Sequence, residues 1–181
     1  MIFKETKLKG AFIIDLERFS DARGFFARSW CQREFEKQGL NPRLVQSNIS
    51  YNISKGILRG MHYQVSPCEE VKLIRCTMGG IFDVIVDLRP ESPTFKHYFA
   101  EIITAEDRRM IYIPEGFAHG FLTLQDGTEL LYQMSGFYSP DHARGVRWND
   151  PAFGIEWPTE VKVISDRDKN YPDFRISNGL A

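Results

Sequence analysis

The chain has no long apolar run: none of its 181 residues falls in a stretch approaching the roughly 18 apolar residues that span a bilayer. Its first residues, MIFKETKLKGAFII, carry charge on both sides of short apolar pieces and lack the h-region of a signal peptide. Cysteine is scarce. Cys31, Cys68 and Cys76 are an odd set without a CxxC pair, which argues against a disulfide framework or a zinc knuckle and fits a reducing cytoplasm. An excess of one charge is missing as well. Against 23 Lys and Arg stand 24 Asp and Glu, a formal net charge of −1, so no general field draws the protein to nucleic acid or to an anionic membrane. Local basic clusters can still hold phosphate. No repeat, low-complexity stretch or linker divides residues 1–181, which read as one domain long enough to bury a sizeable core.

What is present is a succession of short strand-like runs. GAFIIDLE, LVQSNISYNIS, KLIRCTMGG, GIFDVIVDLR, HYFAEIIT, RMIYIPEG, HGFLTLQ, TELLYQMSGFY and EVKVISD are parted by turn-prone pieces such as SPCEE, RPESPT, PEG and DGT. That spacing predicts an all-β sandwich or barrel. One helix is expected over Cys31–Gln38, stopped by Gly39, with further helical turns near Thr104–Arg108 and Pro140–Arg144. In GIFDVIVDLR the side chains alternate. Phe82, Val84, Val86 and Leu88 make an apolar face, and Asp83, Ile85, Asp87 and Arg89 share the other. In a sandwich that second face meets solvent, with Asp87 and Arg89 as a surface or rim ion pair. In a barrel it lines a polar interior and sets Asp83 or Asp87 beside a ligand.

Only four histidines are available for chemistry: His62, His97, His119 and His142. His62 in GILRGMHYQ and His119 in IPEGFAHGF are both flanked by glycines, which allow close backbone approach and let a side chain face a cavity. A lone histidine on a strand is more often a hydrogen-bonded structural residue, so the neighbours decide. His62 and Gln64 share a strand face. Lys72 follows Gln64 by eight residues, and a hairpin through SPCEE would bring it to His62. Arg59 belongs to the same segment. A metal reading competes: cupin barrels hold metal through His-x-His, a Glu and a later PxGxxH. Pro114–His119 matches the last of these, but His62-Tyr63-Gln64 lacks one ligand histidine. His62, Gln64, Glu69 or Glu70, and His119 would make a weak first-row site. The spacing better fits a cupin-like barrel whose pocket does without a metal.

Nine pieces in order carry a resemblance: DARGFF (21–26), VQSNIS (45–50), GILRGMHYQ (56–64), KLIRC (72–76), FDVIVDLRPESPTF (82–95), IPEGFAHGF (113–121), LLYQMSGFYSP (130–140), WNDPAFGIEWP (148–158) and ISDRD (164–168). With them the chain resembles the dTDP-4-dehydrorhamnose 3,5-epimerase family. The resemblance implies a cupin-type jelly-roll (a double-stranded β-helix) with a few short peripheral helices, a homodimer, a nucleotide-diphosphate-sugar substrate and catalysis without cofactor or metal. It casts His62 as general base, Asp168 as its partner, Lys72 as the group at the keto oxygen and Tyr132 as proton donor. Arg59 and His119 match residues of the sugar and diphosphate region, and Arg23, Gln46 and Asn48 match other ligand contacts. Arg167 stands where the family often has lysine. Arg28 and Ala143 stand where it has glutamate, both at the nucleotide end, so the base, the sugar and the choice among C3, C5 or both stay open. A 3-only epimerase of a GDP-, CDP- or UDP-linked sugar, a metal-dependent cupin and a non-catalytic binder are the alternatives.

The chemistry suits those residues. A hydrogen beside a ketone is removable because the carbanion delocalises into an enolate. The reaction needs a base titrating near neutral pH, which histidine is. It needs a donor aimed at the growing oxyanion, which an ammonium supplies. It needs an acid on the opposite ring face, which a tyrosine hydroxyl supplies. A carboxylate behind the histidine fixes its tautomer and stabilises the imidazolium.

Overall fold

The computed structural model describes residues 1–175 of the chain; residues 176–181 lie outside the described part. Two sheets carry the architecture. The first has six strands in the order β1 (Ile2–Glu5), β2 (Phe12–Asp15), β10 (Met110–Ile113), β7 (Lys72–Met78), β12 (Thr128–Met134) and β5 (Gln46–Asn52). The second runs β13 (Ala143–Gly145), β6 (Ile57–Gln64), β11 (Phe117–Thr123), β8 (Gly80–Asp87) and β9 (Tyr98–Thr104), and β14 (Val163–Ile164) also pairs with β6. A separate hairpin, β3 (Arg18–Asp21) and β4 (Gly24–Ala27), leaves Phe19 and Phe26 largely exposed. This is the expected all-β, cupin-type jelly-roll. Strands adjacent in the sheets are mostly distant in sequence, as in other jelly-rolls.

The core lies between the sheets. Ile13, Ile74, Cys76, Ile111, Ile113 and Leu130 from the first meet Ile81, Ile85, Ile103, Phe117 and Phe121 from the second. Each such side chain contributes about 1.5–3 kcal/mol when fully buried. The outer faces are covered too. The helix α1 (Gln32–Lys37) sets Phe35 against Ile14, Leu73, Met110 and Tyr112. The chain after β13 lays Val146, Phe153 and Trp157 over Met61, Val84 and Val86.

That double covering resolves the two faces of GIFDVIVDLR. Phe82, Val84, Val86 and Leu88 pack outward beneath the C-terminal coat, and Ile81, Asp83, Ile85 and Asp87 are buried on the inward face. The acid-bearing face therefore lines a barrel interior and does not meet solvent. Asp87 does pair with Arg89, at 2.7 Å, but its carboxylate is fully buried and also accepts from the hydroxyls of Ser92 and Thr94.

The helix expected at Cys31–Gln38 forms with Cys31 and Gln38 as its caps, and Gly39 follows at φ +71°. The helical turns expected near Thr104–Arg108 and Pro140–Arg144 do not become helices: β9 runs into a tight turn at the first, and β13 begins inside the second. EVKVISD contracts to the two residues of β14, and a short helix α2 (Asp166–Lys169) follows it. SPCEE is not a hairpin. It carries the chain from β6 in one sheet to β7 in the other. No helix among the described residues is long and apolar enough to cross a membrane.

Candidate active site

The geometry of the site begins with an irregularity in β6. His62 is the sheet partner of His119, yet Arg59 is the partner of Phe121, so the register slips by one residue between them. Residues three apart on a regular strand face opposite sides. The bulge cancels that, and Arg59 and His62 point the same way. Glycine is required at its centre. Gly60 has φ +134°, and a Cβ there would lie 2.5 Å from the Gly120 Cα. The glycines read from the sequence as permitting close approach are thus in contact across the β6–β11 pair.

The free edge of β6 is shared. β13 pairs with His62–Gln64 and β14 with Ile57 and Leu58, leaving Gly60 between them. α2 fills that interval. Ser165 caps it by accepting from the Asp168 N–H at 3.1 Å. Asp168 then presents one carboxylate oxygen to His62 Nε2 at 2.7 Å and accepts from the Gly60 N–H with the other at 3.1 Å. Burial pushes the Asp168 carboxyl up, but the hydrogen bond and charge of His62, with the Gly60 and Ser165 contacts, outweigh it and hold the group below its ordinary value. An ionised Asp168 accepts the Nε2 proton, which leaves Nδ1 of the neutral imidazole as the basic nitrogen. His62 is itself 42% exposed at the side chain. It opens on a cleft of about 590 Å³ lined by Asn52, Arg59, Arg167 and Asp168 among others.

Behind the cleft lies the barrel interior. Lys72 lies on the same strand face as Ile74 and Cys76, is buried, and pairs with Glu70 at 3.0 Å. His119 is buried and its Nε2 meets Asp83 at 2.8 Å. The Tyr132 ring stands edge-on to His119, with centroids 5.9 Å apart. Burial and then the Asp83 charge raise the Tyr132 hydroxyl well above its ordinary value, against a smaller opposing effect of Arg59. It stays protonated across the neutral range and so has a proton to give. Burial also pushes the Cys76 thiol up to about 11, so it is no nucleophile.

Arg59 donates to Asn52 at 2.8 Å, tying β6 to β5, and Asn48 is the sheet partner of Tyr132. Gln46 accepts from the Tyr138 N–H. Arg167 stands at the mouth, held by Tyr171 at 2.8 Å and flanked by Tyr138, whose hydroxyl with that of Tyr171 raises the guanidinium further. The fold therefore assembles His62, Arg59, Arg167 and Asp168 around the cleft and sets Lys72, His119 and Tyr132 in the interior. It does not bring Arg23 there. Arg23 sits at the tip of the β3–β4 hairpin, 89% exposed and paired with Asp21. Arg28 pairs with Glu34 of α1 at 2.7 Å, outside the cleft, and Ala143 lies on β13 opposite Gln64.

The donor set of a metal-dependent cupin is not assembled. Gln64 spends its amide on Cys68 O, Phe137 O and the Ser139 N–H, and Glu70 is taken by Lys72. Among the described residues no three His, Cys, Asp or Glu side chains converge. Residues that sequence reasoning missed are Asn52, Ser165 and Tyr171. The last was signalled by its spacing, four residues after Arg167 in a run that turns helical.

Residues 5–175 match the family model described as dTDP-4-dehydrorhamnose 3,5-epimerase. The chain is 43% identical over 171 residues to a dTDP-4-dehydrorhamnose 3,5-epimerase of Shigella flexneri, covering 94% of each. Its structure resembles that of a dTDP-4-dehydrorhamnose 3,5-epimerase from Elizabethkingia anophelis with a TM-score of 0.93 at 37% identity, covering 96% of each chain. It also resembles the enzyme of that name from Bacillus anthracis, solved with TDP and PPi bound, at a TM-score of 0.91 and 40% identity, with 96% of this chain and 99% of that one covered.

Proposed function

The chain belongs to the dTDP-4-dehydrorhamnose 3,5-epimerase family, and from that premise we propose that it inverts C3 and C5 of a dTDP-linked 4-keto-6-deoxy sugar by removing and returning a proton at each carbon. The observation that carries the reading is the His62–Asp168 pair, in which a half-exposed imidazole is held by a buried carboxylate at the wall of the cleft. Nδ1 of His62 takes the proton from the carbon beside the ketone. The electron pair delocalises onto the C4 oxygen, where the Lys72 ammonium offsets the growing charge. Tyr132, which its raised pKa keeps protonated, returns a proton from the opposite ring face. Asp168 stabilises the imidazolium between the two transfers. Arg59 and Arg167 hold the diphosphate by charge-assisted bonds, and Gln46, Asn48 and His119 contact the rest of the ligand. The TDP bound in the Bacillus anthracis relative supports the nucleotide.

The protein works as a homodimer in this reading. The exposed Phe19 and Phe26 of the hairpin, and Ile49 and Tyr51 on the edge strand β5, support an apolar interface. A second copy would also give Arg23 a cleft to enter. Residues 1–181 act as one cytoplasmic domain, which the unpaired cysteines support.

Turnover in deuterated water tests the reaction. A dTDP-linked 4-keto-6-deoxyhexose should take deuterium at C3 and C5, and His62→Ala should abolish it. Label at C3 alone would make the protein a 3-epimerase. No label from dTDP-, GDP-, CDP- or UDP-linked substrates would reject the function. A thermal-shift series with dTDP, UDP, GDP and CDP identifies the base, because a ligand of the native state raises apparent stability by mass action.

A further inference from the structure

Among the described residues His62 has one hydrogen bond to hold its ring, and an imidazole pivots about Cβ–Cγ unless something walls it. Its sheet partner on β13 is Gly145, which offers no side chain. The space is not empty. A Cβ built on Gly145 would clash with the edge of the Tyr171 ring. That ring meets the His62 ring edge to face, with centroids 6.1 Å apart and planes at 72°. Its hydroxyl accepts from Arg167 Nε at 2.8 Å. Tyr171 thus touches the base with its ring and the mouth arginine with its hydroxyl, while the helix just before it supplies Asp168.

We propose that Tyr171 is a positioning residue of the epimerase site, its ring bracing His62 in the orientation that keeps Nε2 on Asp168 and its hydroxyl aiming Arg167 at the diphosphate of the nucleotide sugar. The inference rests on the function proposed above. The two tasks lie on different atoms of one side chain, so they separate by substitution. The absent side chain at position 145 is the condition for both.

Tyr171→Phe keeps the ring and deletes the hydroxyl. It raises the KM for the nucleotide sugar about 5- to 10-fold and weakens dTDP binding in calorimetry alike, with kcat unchanged, as the net loss of one ordinary hydrogen bond predicts. Tyr171→Ala deletes the ring as well and lowers kcat by about 10- to 100-fold, because a misplaced reacting group costs on that order. The acid limb of its kcat–pH profile moves up too, since Asp168 loses part of the His62 contact that holds its carboxyl below the ordinary value. Gly145→Ala, which displaces the ring and leaves Tyr171 intact, reproduces the loss in kcat. If Gly145→Ala fails to fold, the contrast between the two Tyr171 variants still decides.

Equal kinetics in Tyr171→Phe, Tyr171→Ala and wild type, or a loss in Tyr171→Ala that only follows its folded fraction with an unmoved pH profile, would overturn the proposal. Wild-type protein that incorporates no deuterium would overturn the function itself and the bracing of a base with it. Wild-type exchange with unaffected variants overturns the role of Tyr171 alone.

Discussion

His62 and Asp168 lie 106 residues apart in the chain and 2.7 Å apart in space, joined through Nε2 and one carboxylate oxygen. The other oxygen is held by the Gly60 N–H, so the acid is anchored to the same strand that carries the base. A carboxylate fixed at both oxygens cannot rotate to follow the imidazole. The imidazole must come to it.

Asp168→Asn preserves the shape of this contact and reverses its polarity. An amide nitrogen facing Nε2 favours the tautomer protonated at Nδ1, the nitrogen proposed as base. Exchange of the C3 and C5 hydrogens should fall by about 10²–10⁴-fold, the usual worth of a general base, while KM changes little. Proton NMR of solvent exchange measures the first and substrate titration of the rate the second. Wild-type exchange in the Asp168→Asn protein would show that the tautomer does not matter.

Tyr132→Phe separates the two halves of the reaction. With the acid removed, His62 still abstracts a proton and returns it to the same face. Deuterium enters the substrate without inversion, and epimeric product falls by about 10²–10⁴-fold. The wild-type hydroxyl is raised well above its ordinary value near 10. Tyr132 therefore contributes no alkaline decline below about pH 10, and a pH–rate profile that loses activity below that point must owe it to another group.

Asp87 makes stability depend on acid. Burial pushes its carboxyl up, but hydrogen bonds from Arg89, Ser92 and Thr94 prevail and hold it at about 2, against an ordinary value of 3.8. A carboxyl with a lowered folded pKa stabilises fully above its unfolded value and loses that contribution as pH falls toward the folded one. The window is thus between about pH 4 and 2. Asp87→Asn should cost about 2 kcal/mol in urea unfolding at pH 7, with the difference from wild type vanishing at the acid end of that window.

Gly60→Ala asks how much the bulge matters. The added methyl meets the Gly120 Cα at 2.5 Å in a positive-φ conformation, a strain worth about 1–3 kcal/mol. Thermal melting should fall accordingly. Activity should fall further than the folded fraction, since Arg59 and His62 share a side only through this bulge.

The legible parts of the fold were those in which side-chain period matched local structure. The alternation of GIFDVIVDLR gave both faces of β8 and put Asp83 in question as a pocket residue, and it is found against His119. Gly39 marked the end of α1. His62 and His119 stood out by their glycine-flanked strand contexts, whereas Tyr132 and Asp168 were legible only through the family resemblance, and Lys72 was tied to His62 by a hairpin that does not form. The bulge could not be read, since a one-residue slip depends on how Gly60 and Gly120 meet, and these lie 60 residues apart. SPCEE suggested a hairpin because nothing in so short a segment tells whether the next strand pairs with the last or crosses to the facing sheet. α2 was missed for a different reason. Its four residues, DRDK, are all charged, and what makes them helical is the Ser165 cap and the docking of Asp168. Among the described residues, the hairpin bearing Arg23 meets the barrel through Arg18, which donates to the Glu106 and Asp107 carbonyls, and through the exposed Phe25 ring against Arg108, so no burial pattern announced it.

The division of the β6 edge between β13 and β14 has a consequence for synthesis. Every strand of the barrel proper precedes residue 146 in the chain, and β14 and α2 come after it. A nascent polypeptide can close the barrel and expose His62 while Asp168 and Tyr171 are still in the ribosomal tunnel. The histidine is then solvated and unoriented, and the Gly60 amide lacks its acceptor. Docking of residues 163–171 onto the waiting edge is the last stitch, and it turns a folded barrel into a site with an oriented base. Catalytic competence should therefore lag behind the burial of the core during refolding, by the time the C-terminal segment takes to find its place.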